Sequence, residues 1–418
     1  MHILKVDGRS YPLDQFKIEL SSLNMIAWLA KQPTYPKVFW KEKETGTARA
    51  AIGNLLSFPH APNLPLSNTA DVRLYGGMRF EPKRKNDETW RGFPETCFWL
   101  PQVEVTQSEG KTEAIIQYLD DASHANAEQF DFTDSALEMP GHCIIDKQES
   151  PEYPEWQRNV DRVLEEIASG RLDKLVLARK TSLYFTQPVA VWPTLALLNQ
   201  RATQSTVFAF QLSPSVAFIG ATPEKFFHRQ KELLTTDALA GTRPRGKTAQ
   251  EDLRLERELL ENLKEMREFK YVSEFLERAL SPLSQKIEWL ERDHVLKGTY
   301  VQHIHNRLKV WLKSEISDAE LIKTLHPTPA LGGIPRDSAL SLLKTIEPFD
   351  RGWYGAPVGI IGTRESSLYV AIRSALIRER ALHLFAGLGI VKGSTAEREW
   401  DELEQKIRPF TELFSIAK

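Results

Sequence analysis

The chain is expected to be a mixed α and β protein, on two patterns in its sequence. Segments in which branched and aromatic residues alternate with polar ones, bounded by Gly, Pro, Asn and Ser turns, fill the first third and recur almost to the C-terminus. Between them stand stretches of helical spacing over 151–170, 248–280 and the region after Ser394. At 418 residues there is length for a sizeable core, in one large unit or two to three average domains. Pro and Gly are spread along the chain rather than gathered into a linker. A β-rich lobe over 1–148 and a second region over 149–418 are therefore expected to form one fused globular unit.

Composition excludes several function classes. Hydrophobic residues are 41%, charged residues 26%, and the formal net charge is −2, so neither a nucleic-acid surface nor a polybasic membrane patch is indicated. A small-molecule substrate is expected instead. The two cysteines, Cys97 and Cys143, lack any CxxC or metal-finger spacing, which suits a reducing cytoplasm. No apolar run approaches the 18 or so residues of a spanning helix, and the segment MHILKVDGRSYPLDQF has no signal-like apolar core. A soluble, unprocessed protein is expected.

In the first lobe, 37–43 and 48–58 flank Glu44-Thr45-Gly46-Thr47 as a hairpin, 72–80 reads as a strand bulged at Gly76-Gly77, and 96–106 and 112–119 flank a turn at 108–111. Trp40, Phe80, Phe98 and Trp99 fall in alternating patterns and read as core. No chemistry is assigned to this lobe. The 151–170 helix follows, with Trp156, Val160, Val163, Leu164 and Ile167 on one side, and then a strand from Asp173 to Lys180. Lys174 on that strand is either a solvated edge residue or a lysine facing a cavity, where desolvation would push it towards general-base chemistry. The hairpin of 205–212 and 216–220 ends in Gly220-Ala221-Thr222-Pro223-Glu224. Glu224 either faces a cleft or serves a helix dipole. The strand 233–242 closes on Gly241-Thr242, which could offer amides and a hydroxyl to a carboxylate.

A long helical region over 248–280 carries Glu268 beside Phe269, Val272 and Phe275. Strands are expected again at 286–290 and 299–311, the second with His303 and His305 on one face. No third ligand of suitable type lies nearby, so a substrate-facing histidine beside a structural one is the expectation rather than a metal pair. The loop 326–335, HPTPALGGIP, has the stiffness of a pocket wall and includes Ala330. Arg373 reads as lying inside an apolar strand, where burial demands an anionic partner such as a substrate carboxylate. Near the C-terminus Gly387 and Gly389, two apart, leave one strand face bare. Ser394 and Glu397 form a capping-box pattern, and Glu399, Glu402 and Lys406 then stack along one helical face beside Trp400, Leu403 and Ile407.

Nine ordered segments carry a resemblance: KLVLAR from Lys174, GATPE ending at Glu224, ALAGT ending at Thr242, Lys264 to Glu268, VQHI around His303, HPTPALGG from His326, RGWYGAPVG from Arg351, AGLGIVKGS from Ala386 and EREWDELEQK ending at Lys406. Together they resemble the chorismate-utilising enzymes and, within them, the isochorismate synthases. The match covers roughly 150–410; the first lobe agrees only in length and β-rich character. The resemblance implies large, mainly antiparallel sheets packed together with helices outside, and a site between the sheets and two helices. It implies that Glu268 and Glu402 hold Mg²⁺, with Glu399 reaching it directly or through water. It makes Lys174 the base that activates water and Glu224 the acid that protonates the departing C4 hydroxyl. Tyr354 and Arg373, with the Gly387 and Gly389 amides, bind the enolpyruvyl carboxylate. His303, Gly241 and Thr242 line the ring side, and Lys406 neutralises the acidic cluster. Lys174 separates the chain from relatives that aminate chorismate and points to water as the nucleophile; with no N-terminal tryptophan-binding motif of the feedback-inhibited anthranilate type, no obligatory glutaminase subunit is expected, and a monomer or weak homodimer is. Ala330, where salicylate synthases carry a threonine-containing loop, favours release of isochorismate over pyruvate elimination.

Overall fold

The computed structural model describes residues 2–65, 67–82, 87–119, 130–138, 141, 143–298 and 301–414, and of Ala240, Thr242 and Asp293 the backbone alone. Among these residues two large sheets form by antiparallel pairing, one of 13 strands and one of nine. The larger runs from His2–Val6 through Arg9–Leu20, Lys111–Leu119, Val103–Ser108, Ala48–Ile52 and Lys37–Lys41, and continues into Thr206–Ser213, Val216–Thr222, Ser374–Arg378, Ala381–Ile390, Lys174–Phe185 and Ile144–Ser150. The smaller joins Ser284–Lys297, Val301–Leu312, Leu233–Pro244, Lys225–Gln230, Glu365–Val370 and Pro357–Gly362 to Arg73–Met78, Thr96–Leu100 and Leu56–Phe58. Strands from before and after residue 148 thus share both sheets, through Phe39 opposite Ala209 in one and Gly359 opposite Gly76 in the other.

The sheets pack face to face over aromatic side chains. Trp40 of the larger meets Tyr369 of the smaller at 5.7 Å between ring centroids, and Phe210 meets Trp99 at 5.9 Å. Trp40, Phe80, Phe98 and Trp99 are all buried. Helices cover the outside, Leu263–Leu280 lying on the Leu233–Pro244 strand and Ala396–Thr411 on the Ala381–Ile390 strand. This is the mixed fold with large antiparallel sheets that the resemblance implies.

Several local expectations need correction. The 248–280 helix is two helices, Ala249–Glu261 and Leu263–Leu280, because Asn262 leaves helical geometry and its side chain caps the second by accepting from the Lys264 and Glu265 N–H groups. The predicted strand 96–106 breaks at Pro101, and its halves go to different sheets. Gly76 and Gly77 form no bulge. A Cβ at Gly76 would lie 1.9 Å from the Cys97 carbonyl oxygen and one at Gly77 would meet Trp353 at 2.7 Å, so these glycines let a strand and an indole approach closely. Ser394 does not cap the last helix: Thr395 is its N-cap, without a side-chain bond, and Ser394 Oγ accepts from Val391 N–H at 3.2 Å to close the preceding turn.

Two crossovers between the sheets matter most. At Pro223-Glu224 the chain leaves the larger sheet for the smaller, and over Ala371 to Arg373 it returns. Arg373 is therefore not inside a strand. It sits in the second crossover with φ +51°, a left-handed conformation that costs a non-glycine residue about 1–3 kcal/mol and persists only where the surroundings impose it. The crossovers are tied together by Val370 N–H to Glu224 O and Ala221 N–H to Arg373 O, each 3.0 Å.

Candidate active site

Where a chain switches sheets its backbone cannot complete two ladders, and side chains there point into the space the sheets leave open. A cleft occupies that space. Glu224 and Arg373 reach it from the two crossovers, Gly241 and His303 from the smaller sheet, and Gly387 and Gly389 from the larger. The helix Leu263–Leu280 contributes Lys264, Glu265 and Glu268; the helix Ala396–Thr411 contributes Glu399, Glu402 and Lys406. Ala330 and Leu331 come from the proline-rich loop and Tyr354 from the segment after Arg351. The side chain of Thr242 lies outside the described residues. Lys174 is fully buried behind the wall rather than on it, with Nζ 2.8 Å from Glu268 Oε1.

The glutamates are each held by a cation. Besides Lys174 on Glu268, Lys264 Nζ lies 2.5 Å from Glu399 Oε1, Lys406 Nζ 2.8 Å from Glu402 Oε1, and Arg243 Nη1 2.8 Å from Glu265 Oε1. Burial and the neighbouring charges of Glu268 and Glu402 push the Glu265 carboxyl above its usual range, while Arg243 opposes them. Burial would also raise Glu402, but Lys406, Lys264 and Arg373 outweigh it and hold that carboxyl low. The carboxylates thus crowd one another across a cavity that supplies its own countercharge.

Glu224 differs from all of these. It is 6% exposed, and burial pushes its carboxyl up to about 8; Lys174, Lys43 and Lys406 pull the other way and Asp237 adds to the rise. It therefore carries a proton at neutral pH. Burial and Arg373 depress His303 to about 3, so the ring is neutral. Its Nδ1 lies 3.1 Å from the Gly241 carbonyl oxygen, which only accepts, so Nδ1 bears the hydrogen and Nε2 is the acceptor. Burial raises the Tyr354 hydroxyl far above the neutral range and leaves it a donor. Lys406 Nζ donates to Gly387 O at 2.9 Å and Arg373 Nη1 to Lys406 O at 3.2 Å, tying the last helix to the glycine strand.

The glycines on that strand permit these approaches. A Cβ at Gly387 would sit 3.0 Å from the Tyr354 hydroxyl. One at Gly389 would lie 2.5 Å from Glu268 Oε1 and 2.7 Å from Lys174 Cε. Gly389→Ala is accordingly expected to separate Lys174 from Glu268 and, by a displacement near 1 Å, to lower turnover about 10²-fold. Steady-state kinetics beside a melting curve test this; an unchanged kcat would mean that the pair has no part in turnover.

Three contributors went unread in the sequence. Lys264 and Glu265 lay inside a quoted segment without a role, though Glu265 and Glu268 repeat the three-residue spacing of Glu399 and Glu402. Arg351 is buried and donates to Leu331 O at 2.9 Å, to Val176 O at 2.7 Å and to Glu347, pinning the proline-rich loop to the Lys174 strand. Nothing in its local sequence announces those partners. Of the histidine pair, His303 lines the cleft and His305 contacts Asp237 at 3.2 Å.

Glutamate oxygens are hard donors of the kind Mg²⁺ takes, and four converge on one cleft with their charges in mutual repulsion, so the donor chemistry fits such an ion. Among the described residues no three acid, histidine or cysteine side chains form a ready-made metal cluster, because each glutamate is already engaged.

Residues 64–415 match the family model for chorismate binding enzymes. Isochorismate synthase 2, chloroplastic, of Arabidopsis thaliana is 35% identical over 358 residues, covering 81% of this chain and 64% of its own. The chain thus spans just under two thirds of that plant relative. Isochorismate synthase MenF of Escherichia coli is 30% identical, covering 92% of this chain and 89% of its own. The solved structure of MenF, the menaquinone-specific isochorismate synthase from Escherichia coli, superposes with a TM-score of 0.86 at 27% identity, over 97% of this chain and 95% of that one. Among the described residues no helix is long and apolar enough to cross a membrane.

Proposed function

The chain belongs to the chorismate binding enzyme family, and on that premise we propose that it is an isochorismate synthase, converting chorismate reversibly to isochorismate by adding water at C2 and releasing the C4 hydroxyl. The single observation that carries this reading is the pairing of a protonated, buried Glu224 on the cleft with a buried amine, Lys174, directly behind its wall at Glu268. Exchange of one hydroxyl for another needs an acid for the leaving group and a base for the water. Glu224 supplies the proton at its carboxyl; Lys174 takes one from water at Nζ once its contact with Glu268 opens. Arg373 and the Tyr354 hydroxyl bind the enolpyruvyl carboxylate, and His303 Nε2 accepts from a hydroxyl on the ring side. Mg²⁺ would be held by Glu268 and Glu402 with Glu399, and when bound would neutralise the ring carboxylate. Water as nucleophile makes a glutaminase subunit unnecessary. The product would feed menaquinone or siderophore synthesis in the cytoplasm, and the likeness to a menaquinone-specific enzyme supports the first of these.

Incubation with chorismate and Mg²⁺, followed by chromatography and a pyruvate assay of the same sample, tests the reading. Isochorismate without pyruvate is expected; salicylate with equimolar pyruvate would replace it by a salicylate synthase. Glu402→Gln is expected to raise the Mg²⁺ concentration needed for half-maximal rate and to lower kcat with it. An unaltered Mg²⁺ requirement would remove Glu402 from the metal site.

A further inference from the structure

Glu224 stands in a crossover, its carbonyl accepting from Val370 N–H at 3.0 Å and its N–H donating to Thr222 Oγ1 at 3.3 Å, and an acid must be held in place to deliver its proton. The first lobe adds holding groups on the residues either side of it. Between the strands Lys37–Lys41 and Ala48–Ile52 a turn carries Lys43 and Glu44 across to the crossover. Lys43 Nζ donates to the Pro223 carbonyl oxygen at 2.5 Å, and its own N–H donates to Thr206 Oγ1 at 3.2 Å. Glu44 accepts from Lys225 Nζ at 2.9 Å and from the Tyr369 hydroxyl at 2.5 Å. Consecutive turn residues therefore grip the residues immediately before and after Glu224. Behind them Asp237, 1% exposed in its side chain, lies 3.9 Å from Lys43 Nζ, 3.0 Å from Arg307 Nε and 3.2 Å from His305 Nε2.

We propose that Lys43 and Glu44 are positioning residues for Glu224, clamping the residues on either side of it, and that Lys43 and Asp237 add opposing charges to those its carboxyl experiences. The inference rests on the acid role of Glu224 and adds a task for the first lobe. Facing Glu224 are Lys174, Lys43, Lys406, Asp237 and Tyr354, with Glu44, Lys225, Arg307 and His305 in the layer behind. A cation near the carboxyl favours loss of its proton and an anion favours retention, so removing Lys43 and removing Asp237 move it in opposite directions.

The full-length protein is used for the test. The protonated-carboxyl stretch of Glu224, assigned by its disappearance in Glu224→Gln, is followed by infrared difference spectroscopy against pH in the wild type, Lys43→Met, Lys43→Arg and Asp237→Asn. Lys43→Met is expected to move the titration up by about one pH unit and Asp237→Asn to move it down by a similar amount. Lys43→Met also lowers kcat about tenfold with KM for chorismate within about twofold, and Lys43→Arg recovers most of both. Melting temperatures that fall while the Glu224 titration and kcat stay at wild-type values would overturn the proposal. The infrared titration needs no turnover, so it separates failure of the clamp from failure of the acid reading, which shows instead as an active Glu224→Gln.

Discussion

Glutamine in place of Glu224 is expected to lower kcat about 10²–10⁴-fold while chorismate affinity stays within a few fold. The substitution is nearly isosteric with the protonated carboxyl, and burial makes the protonated form the resident one, with a pKa of about 8. Little is lost in the ground state and the proton for the leaving hydroxyl is lost entirely. The same shift fixes the pH dependence. An acid works in its protonated form, so wild-type kcat is expected to decline as pH rises through about 8, and the residual rate of Glu224→Gln should lack that limb. Stability follows with a defined sign. The folded state holds this proton more tightly than the unfolded chain, whose carboxyl titrates near 4.5, so Glu224 favours folding below that value and the contribution is lost as pH rises through about 8. The variant's melting temperature should therefore decline less between pH 5 and pH 9 in thermal scans. A variant that keeps more than a tenth of the rate would take the acid role from Glu224.

Much of this site was legible because its residues sit in short segments with regular local geometry. Glu399, Glu402 and Lys406 are three and four apart, and a helix places them on one face whatever surrounds it. Gly387 and Gly389 announce a bare strand face, and the glycine contacts show what uses it. Arg373 was misplaced for the opposite reason. Val370, Ala371 and Ile372 before it and Ala375 after it read as one apolar strand, and only the sheet pairings reveal that the chain changes sheets between them. Likewise the break at Asn262 is a cap in a sequence otherwise suited to one helix, and cap geometry wins because the second helix packs on the Leu233–Pro244 strand while Lys264 and Glu265 turn into the cleft. Lys43 and Arg351 lie beyond any local reading. Their partners are 180 and 175 residues away in sequence, at Pro223 and Val176, so they become visible only when the strands are in register.

Lys174→Met should be the most damaging change at the site, lowering water addition by about 10³-fold or more. Methionine keeps an apolar stem of similar length against Gly389, so the space is filled and the amine alone is gone. Its removal has a second effect that must be separated from the first. Glu268 faces Lys174 at 2.8 Å and its side chain is 15% exposed, so the carboxylate is left with a poorly solvated charge, at a cost of up to about 3 kcal/mol. The double variant Lys174→Met with Glu268→Gln removes both charges. It is expected to regain the stability lost in the single variant, by denaturant titration, and to remain without water addition. If turnover returned with stability, the lysine would be serving only to balance Glu268. If the single variant turned over near the normal rate, the base would have to be sought elsewhere on the cleft. The enclosure of Lys174 sharpens the distinction. Its Nζ does not reach the cleft wall past Glu268, so a role in catalysis requires that contact to open, whereas a role in charge balance requires it to stay closed. Hydrogen exchange or fluorescence of the chorismate-bound protein that showed the Leu263–Leu280 helix fixed where it stands without substrate would favour the balancing role; movement of that helix on binding is what the base role predicts.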